Sequence, residues 1–295
     1  MKDLRIVILV SSDKSDLYFA NQLMQRLKIL SVVIEHQQDT PHPVSKFNKI
    51  LNFLLKPRQL ARRIIEKTSE VFEDKFAVYN QPENQLDFGE EGERIKPMDG
   101  VSIITSHGKN SINSAKVVSH IKEIKPDIIA VCGTSLLSEN ILSLPTICSL
   151  NLHGGLSQFY RGLWTTDWAI YNEEPEYIGA TVHFIAPGID DGAILYQGRP
   201  TLEKNDNPHT LYEKVVKLGV NMMEQSIMDI QHNIQKPIQL SQKGKLYLEY
   251  MVTRKIRHLT WAKLSKGVLS DYLKNKQERD QKVLSVLDNL YQGNK

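Results

Sequence analysis

Cysteine is scarce: the 295 residues include two, Cys132 and Cys148. Both sit in apolar, strand-like runs with no cluster of other metal-ligand residues beside them. They therefore read as small buried hydrophobes rather than as a disulfide or half a metal site, and no metal is expected. Long apolar runs are missing too, since no segment approaches the length that spans a bilayer. The amino terminus has Lys2, Asp3 and Arg5 before a short aliphatic run and then Ser11-Ser12-Asp13. That reads as a first strand, not as a signal peptide. The expectation is a reducing cytoplasm. Charge of one sign is also in short supply: 37 Lys and Arg against 34 Asp and Glu leave +3, too little to imply nucleic acid by itself. Glycine is absent from the turn Ser11 to Ser15, where a dinucleotide fingerprint needs it for close approach to a pyrophosphate. That sets the dehydrogenase reading aside. The hydroxyls and helix amides there could still touch a phosphate, although a Ser or Asp in that place is more often a simple N-cap. Ser11 and Ser12 stay as substrate-binding candidates.

What is present describes an ordinary globular protein, 41% apolar and 24% charged, long enough for one large domain and a smaller appendage. Leu4 to Val10 is a continuous aliphatic run, as expected of a strand buried on both faces. Asp16 to Leu30 has helical spacing in Leu17, Ala20, Leu23, Met24 and Leu27. Val32 to Glu35, Val101 to Thr105, Ile128 to Cys132 and Ile147 to Leu150 read as further strands, with a helix across Ser111 to Ile124. Strands alternating with helices predict an α/β fold with a doubly wound, mostly parallel sheet. Ser45 to Leu55 and Pro57 to Phe72 read as two helices with a basic side, most simply a solvated face. Phe76 to Gly100 reads as a loop that could cover a substrate. His209 to Ile234 reads as a long amphipathic helix, Lys243 to Val252 as a strand or two, and Val268 to Leu290 as a helical tail.

Ligands in such sheets bind at the carboxyl ends of strands. Asn151 and His153, one residue apart, would share a face just past such an end. Asp190 follows a second strand, Ala180 to Ile185, in a loop bounded by Pro and Gly. Imidazole titrates near neutral pH, so His153 is the candidate for proton transfer. The uncharged amide of Asn151 suits an oxyanion, and Asp190 would orient His153 and favour its cationic form. Either His153 or Asp190 could take the proton. The neighbouring Asp191 reads more simply as a turn carboxylate. His183 lies on an alternating strand that could turn it to core or site. His107, His120 and His209 read as surface or capping residues. Arg161, between Tyr160 and Gly162, suits anion recognition, with a structural salt bridge nearly as apt. Trp164 could stack on a base or sugar, but a helix buried by Trp164, Trp168 and Ile170 is the simpler expectation.

Asn-x-His, the Arg-Gly eight and nine residues on, G-x-T-V-H at Gly179 to His183, and the D-x-G loop followed by Ile194-Leu195-Tyr196-Gln197 together resemble the formyltransferases that use 10-formyltetrahydrofolate. That family includes glycinamide ribonucleotide, methionyl-tRNA and nucleotide-sugar N-formyltransferases. The likeness is dense from about Lys125 to Pro200, looser over Leu4 to Val10, and hardly visible at Pro41 to Gly100 or after Gln235. It implies a catalytic trio at Asn151, His153 and Asp190. It also implies a folate site at Gly133, Thr134, Ser135, Leu136 and Leu137 and at Pro187, Gly188, Ile189 and Asp191. Residues 1–235 would form the catalytic domain, with 41–100 as an insertion, and 236–295 a C-terminal extension. The family's usual loop proline after the His is missing, replaced by Gly155-Leu156-Ser157-Gln158.

The resemblance leaves the acceptor to be argued separately. Relatives that act on methionyl-tRNA carry a C-terminal β-barrel, hard to build from the sixty or so residues after Gln235. Glycinamide ribonucleotide formyltransferases carry a Gly-rich first loop, which Ser11-Ser12-Asp13 does not match. Sugar N-formyltransferases commonly keep Tyr-Arg-Gly and append a short dimerising tail. Tyr160-Arg161-Gly162 and the tail here fit that group best, implying a nucleotide-linked amino sugar as acceptor, a surface-polysaccharide product and a homodimer. A tRNA acceptor, hydrolysis of the formyl donor to formate, and a non-catalytic folate or nucleotide sensor are the other readings.

Overall fold

The strand at the centre of the sheet is an aliphatic run that leaves no polar side to expose. In the computed structural model, which describes residues 3–37, 86–186, 188–240, 242–287 and 289–291, β1 (Ile6–Ser11) is buried at all six positions. Each such aliphatic side chain contributes about 1.5–3 kcal/mol when removed from water, which makes β1 the natural centre of the sheet. The chain continues through α1 (Lys14–Arg26), β2 (Ile29–His36), a short α2 (Glu90–Glu93), β3 (Ser102–His107), α3 (Ala115–Ile124), β4 (Ile128–Cys132), α4 (Glu139–Leu142) and β5 (Cys148–His153). Then follow β6 (Tyr160–Gly162), α5 (Thr165–Tyr171), β7 (Ala180–Phe184), β8 (Ile194–Gly198), α6 (Pro208–His232), β9 (Lys245–Tyr247), α7 (Arg254–Ser265), α8 (Val268–Lys274) and α9 (Lys276–Leu284).

The main sheet has the order β3-β2-β1-β4-β5-β7-β8. Its first five strands run parallel, and β7 and β8 are antiparallel to their neighbours. The mostly parallel, doubly wound expectation therefore holds. Strand order reverses between β1 and β4, which opens a crevice at their carboxyl ends. Helix α6 is a 25-residue element that starts on a capping box, with Asn207 Oδ1 accepting from the amides of His209 and Thr210. Its buried stripe, including Leu211, Val215, Met222 and Ile227, covers the face that α1 shares.

Several expectations need revision. The strand thought to stop at Leu150 runs on to His153, because Asn151 and His153 are paired across to His183 and Thr181 of β7. The tail contains an additional helix, α7, and a three-residue β9 that pairs with β6 in a separate small sheet. The helices read at Ser45 to Leu55 and Pro57 to Phe72 lie outside the described residues, as does the first part of the Phe76 to Gly100 segment. Its described part packs on α1: the Phe88 and Tyr18 rings are 4.8 Å apart, and Asn21 Nδ2 donates to the Glu91 and Arg94 carbonyls. Both cysteines are free thiols. Among the described residues there is no cluster of three or more potential metal ligands, and no helix is long and apolar enough to cross a membrane.

Candidate active site

Asp190 gathers the site. It adopts a left-handed backbone, φ 51°, that a bulky side chain rarely takes and Asp tolerates. The loop bearing it can fold back onto β7 because Gly192 sits against the Phe184 carbonyl, where any Cβ would overlap that oxygen. Three N–H donors and the nitrogen of a second imidazole converge on the returning carboxylate. Asn151 Nδ2 reaches Oδ1 at 3.3 Å and His183 Nε2 lies 3.6 Å from the same oxygen. The Gly162 amide donates to Oδ2 at 2.8 Å, and His153 Nδ1 lies 3.3 Å from it. Burial alone would raise this carboxyl. The His153 charge, then His183 and the Gly162 amide, outweigh it and hold Asp190 well below the usual carboxylate range.

The two histidines differ in how they are held. His153 Nε2 faces the Tyr160 carbonyl at 2.9 Å while Nδ1 faces Asp190, so a doubly protonated ring has an oxygen partner for each N–H. His183 Nδ1 lies 2.8 Å from its neighbour's carbonyl at Phe184, which leaves Nε2 to accept from Asn151 Nδ2 at 3.2 Å. Asn151 thus directs its amide hydrogens toward Asp190 and His183. A substrate carbonyl could receive them by displacing one of those acceptors.

The strand β6 and the C-terminal segment close the other side. Gly162 is at φ 86°, with its α-carbon against the Tyr247 carbonyl, so only a residue without Cβ fits there. Arg161 Nε donates to the Gly244 carbonyl at 2.9 Å and Nη1 to the Ile189 carbonyl at 3.1 Å. Asp191 accepts from Lys243 at 2.7 Å and lies 3.9 Å from Arg161. The loop bearing Asp190 is in this way fastened to residues 243–247.

Each sequence candidate can now be placed. Asn151, His153 and Asp190 come together, and His183, given only a secondary part by the sequence, joins them. Arg161 does not present its guanidinium to an acceptor; it is spent on two backbone carbonyls. Tyr160 is buried, with its hydroxyl donated to Glu174 and its ring stacked on Tyr247, so it offers no face to a substrate. Ser11 is turned inward, donating to Asp16 Oδ2 at 2.6 Å, while Ser12 is partly exposed. Asp16, fully enclosed, is raised by burial to about 6. A carboxylate there argues against a phosphate in the first turn. Trp164 is 45% exposed and precedes α5, whereas Trp168 and Ile170 are buried as expected. His107 stacks on His36 with ring centroids 4.8 Å apart, and His120 Nε2 lies 2.8 Å from Ser31 Oγ.

The loop Gly133 to Leu137 leaves β4 next to Asn151 in the sheet, since Val131 pairs with Asn151. It is braced from beneath: the Ser135 amide donates to the buried Glu35 at 2.7 Å, and Asn113 Nδ2 to the Leu136 carbonyl at 2.9 Å. Leu136 itself is 69% exposed, and Leu137 and Ile185 pack in one apolar cluster. An exposed apolar side chain on a rigid loop of backbone amides fits one face of a flat heterocycle. Gly188, Ile189 and Asp191 lie on the opposite side of Asn151, on the loop after β7; Pro187 is outside the described residues.

Residues 4–227 match the family described as Formyl transferase. The chain belongs to that family. The Caldanaerobacter subterraneus methionyl-tRNA formyltransferase is 26% identical over 194 residues, covering 64% of this chain and 62% of that one. The chain spans less than two thirds of the length of the first curated relatives it matches. A sugar N-formyltransferase from a Shewanella species superimposes with a TM-score of 0.51 at 16% identity, over 88% of this chain and 87% of that one. The Aquifex aeolicus HypX in complex with tetrahydrofolic acid gives 0.50 at 12% identity, over 90% of this chain and 34% of that one. These structural likenesses establish the shared α/β formyltransferase fold.

Proposed function

We propose that this formyltransferase-family chain moves a formyl group from 10-formyltetrahydrofolate to the primary amine of a nucleotide-linked amino sugar, as a homodimer. The convergence of Asn151, His153 and His183 on the Asp190 carboxylate carries the reading of the chemistry. When bound, the folate would supply an activated formyl carbon; Gly133 to Leu137 on one side, and Gly188, Ile189 and Asp191 on the other, would hold it.

The residues then do the following. Asn151 gives a hydrogen bond to the carbonyl oxygen as negative charge develops on it; loss of one such donor costs an acyl transferase about a hundred- to a thousandfold. The attacking amine must shed a proton as its C–N bond forms and the bond to the donor nitrogen breaks. Asp190, held far below the ordinary range, is a poor final base. The neutral imidazole of His153 is the better one: the cation it becomes on taking the proton finds the Asp190 carboxylate at Nδ1 and the Tyr160 carbonyl at Nε2. The same proton can be returned to the departing donor nitrogen. Burial of this group limits competition from water.

One observation supports a sugar over a tRNA acceptor. Among the described residues after 235, the chain forms one three-residue strand, a 3-10 turn and three α-helices rather than a barrel. The test is an acceptor panel: purified protein, formyl donor, and nucleotide-linked amino sugars alongside methionyl-tRNA. Turnover on an amino sugar that is lost in Asn151→Ala supports the proposal. Turnover on methionyl-tRNA alone reverses the acceptor, and formate without an amine makes the protein a hydrolase.

A further inference from the structure

Trp164 is the most conspicuous exposed aromatic near the carboxylate, and its surroundings are built. Two residues before it, the Gly162 amide is bonded to Asp190. One residue before it, the Leu163 amide donates to the Tyr247 carbonyl at 2.9 Å. One residue after it, Thr165 donates to the Gly154 carbonyl next to His153. The Trp164 backbone is therefore pinned within about 7 Å of chain on either side to the reacting centre. It is held left-handed, φ 59°, a conformation costly for a bulky residue, with its indole 45% exposed. A hydrophobic anchor would bury that ring; here it stands open beside a catalytic carboxylate.

The second element comes from beyond the matched family region. Arg257 of α7 lies over the Trp164 ring, guanidinium carbon 4.5 Å from the centroid. Among the described residues it makes no ion pair; Asp167 feels its charge from farther away. The same helix adds Lys255 and His258. With the guanidinium over one face of the indole, the other face is left for a flat base that stacks, and the guanidinium, which makes no ion pair among the described residues, for a phosphate that takes forked hydrogen bonds. In a nucleotide-linked sugar, the diphosphate and sugar ring separate the base from the amine. The base therefore belongs beyond the carboxylate, not on it, and Trp164 occupies that place.

We infer that Trp164 and Arg257 form the subsite that binds the nucleoside diphosphate portion of the acceptor, with α7 supplying specificity from the C-terminal extension. The inference rests on the nucleotide-sugar reading of the acceptor. It also makes Trp164, rather than Ser11, Tyr160 or Arg161, the main acceptor-binding side chain among the sequence candidates.

Binding is tested on the full chain with nucleoside diphosphates that carry no sugar, by tryptophan fluorescence and calorimetry. Of three tryptophans, Trp168 is buried and Trp261 is half-buried against His209, so the signal that persists in Trp164→Phe separates the Trp261 share of the quenching from that of Trp164. Trp164→Ala is expected to weaken a nucleoside diphosphate about tenfold or more, with Trp164→Phe recovering most of it. Arg257→Ala is expected to weaken it similarly and to flatten its salt dependence. In turnover, both raise KM for the amino sugar and leave kcat within about twofold, with melting temperature as a folding control. Unchanged affinity in folded Trp164→Ala and Arg257→Ala overturns the inference. So does formyl transfer to an amine by a protein that binds no nucleoside diphosphate, or loss of methionyl-tRNA binding in these variants in place of nucleotide binding. Trp164-dependent nucleotide binding with no formyl transfer to any amine upholds the subsite and refutes the activity instead.

Discussion

Replacing Asp190 with Asn keeps the size of the side chain and removes its charge. One of the two oxygens becomes an amide nitrogen, so that nitrogen must face either Asn151 Nδ2 and His183 or the Gly162 amide and His153. The Gly162 bond at 2.8 Å is the shortest of the set, so the remaining oxygen is expected to stay there and the new donor to oppose Asn151. A buried donor left unmatched costs about 1–3 kcal/mol, a fall in melting temperature of several degrees in a chain of this size. The catalytic effect is larger, because His153 loses the anion that supports its cation; about a hundred- to ten-thousandfold in kcat is the range for losing one proton-transfer group. The pH dependence of stability gives an independent check. The native carboxyl sits below its unfolded value, so its stabilisation is present above about pH 4 and is lost as pH falls through the folded value. The Asn variant should lack that part of the acid-induced fall. The assay is steady-state turnover beside thermal melts between pH 3 and 7. A folded Asp190→Asn protein within threefold of the parent kcat refutes the reasoning.

Arg161→Ala separates a positioning role from an acceptor-binding one: with the Ile189 carbonyl of the Asp190 loop and the Gly244 carbonyl of the C-terminal segment released, kcat should drop about tenfold while KM for the acceptor changes less than twofold. A raised KM with kcat intact shows that Arg161 binds substrate after all. Gly162→Ala forces a Cβ into the Tyr247 carbonyl at a left-handed position, so both the β6–β9 pairing and activity should fail, read by proteolysis of the C-terminal segment and by turnover. Asn207→Ala removes the α6 cap and should cost about 1 kcal/mol in a denaturant titration, with kcat unchanged.

The sequence carried the sheet because its strands are continuous aliphatic runs, and it carried α6 because a 25-residue stripe has unmistakable periodicity. It brought Asn151, His153 and Asp190 forward as candidates by their types and spacing, and the fold sets the three side by side. What it hid were interactions between distant segments. Arg161 looked like an anion binder, since nothing local announces that Gly244, more than eighty residues on, takes its guanidinium. His183 alternates on a strand whose inward face is fixed only by pairing with β5. Trp164 fell within a helical pattern, but the left-handed turn at its own position puts it outside the helix and in the open. Helix α7 carries its charges around a weak apolar stripe, so the sequence pattern assigned no element between Val252 and Val268. A proline-poor loop after His153 did not prevent the site from closing, because Gly154 and Gly155 leave room for Tyr212 and Thr165 beside the imidazole.

The fate of a labelled formyl carbon tests the central claim most directly. With carbon-13 in the donor's formyl group, the protein and an equimolar mixture of nucleotide-linked amino sugars, carbon NMR distinguishes untouched donor, free formate and a new secondary formamide. The account predicts that the label moves to the formamide, at a rate at least about a hundredfold lower in Asp190→Asn. Label collecting in formate, or remaining on the donor with every amine supplied, contradicts it.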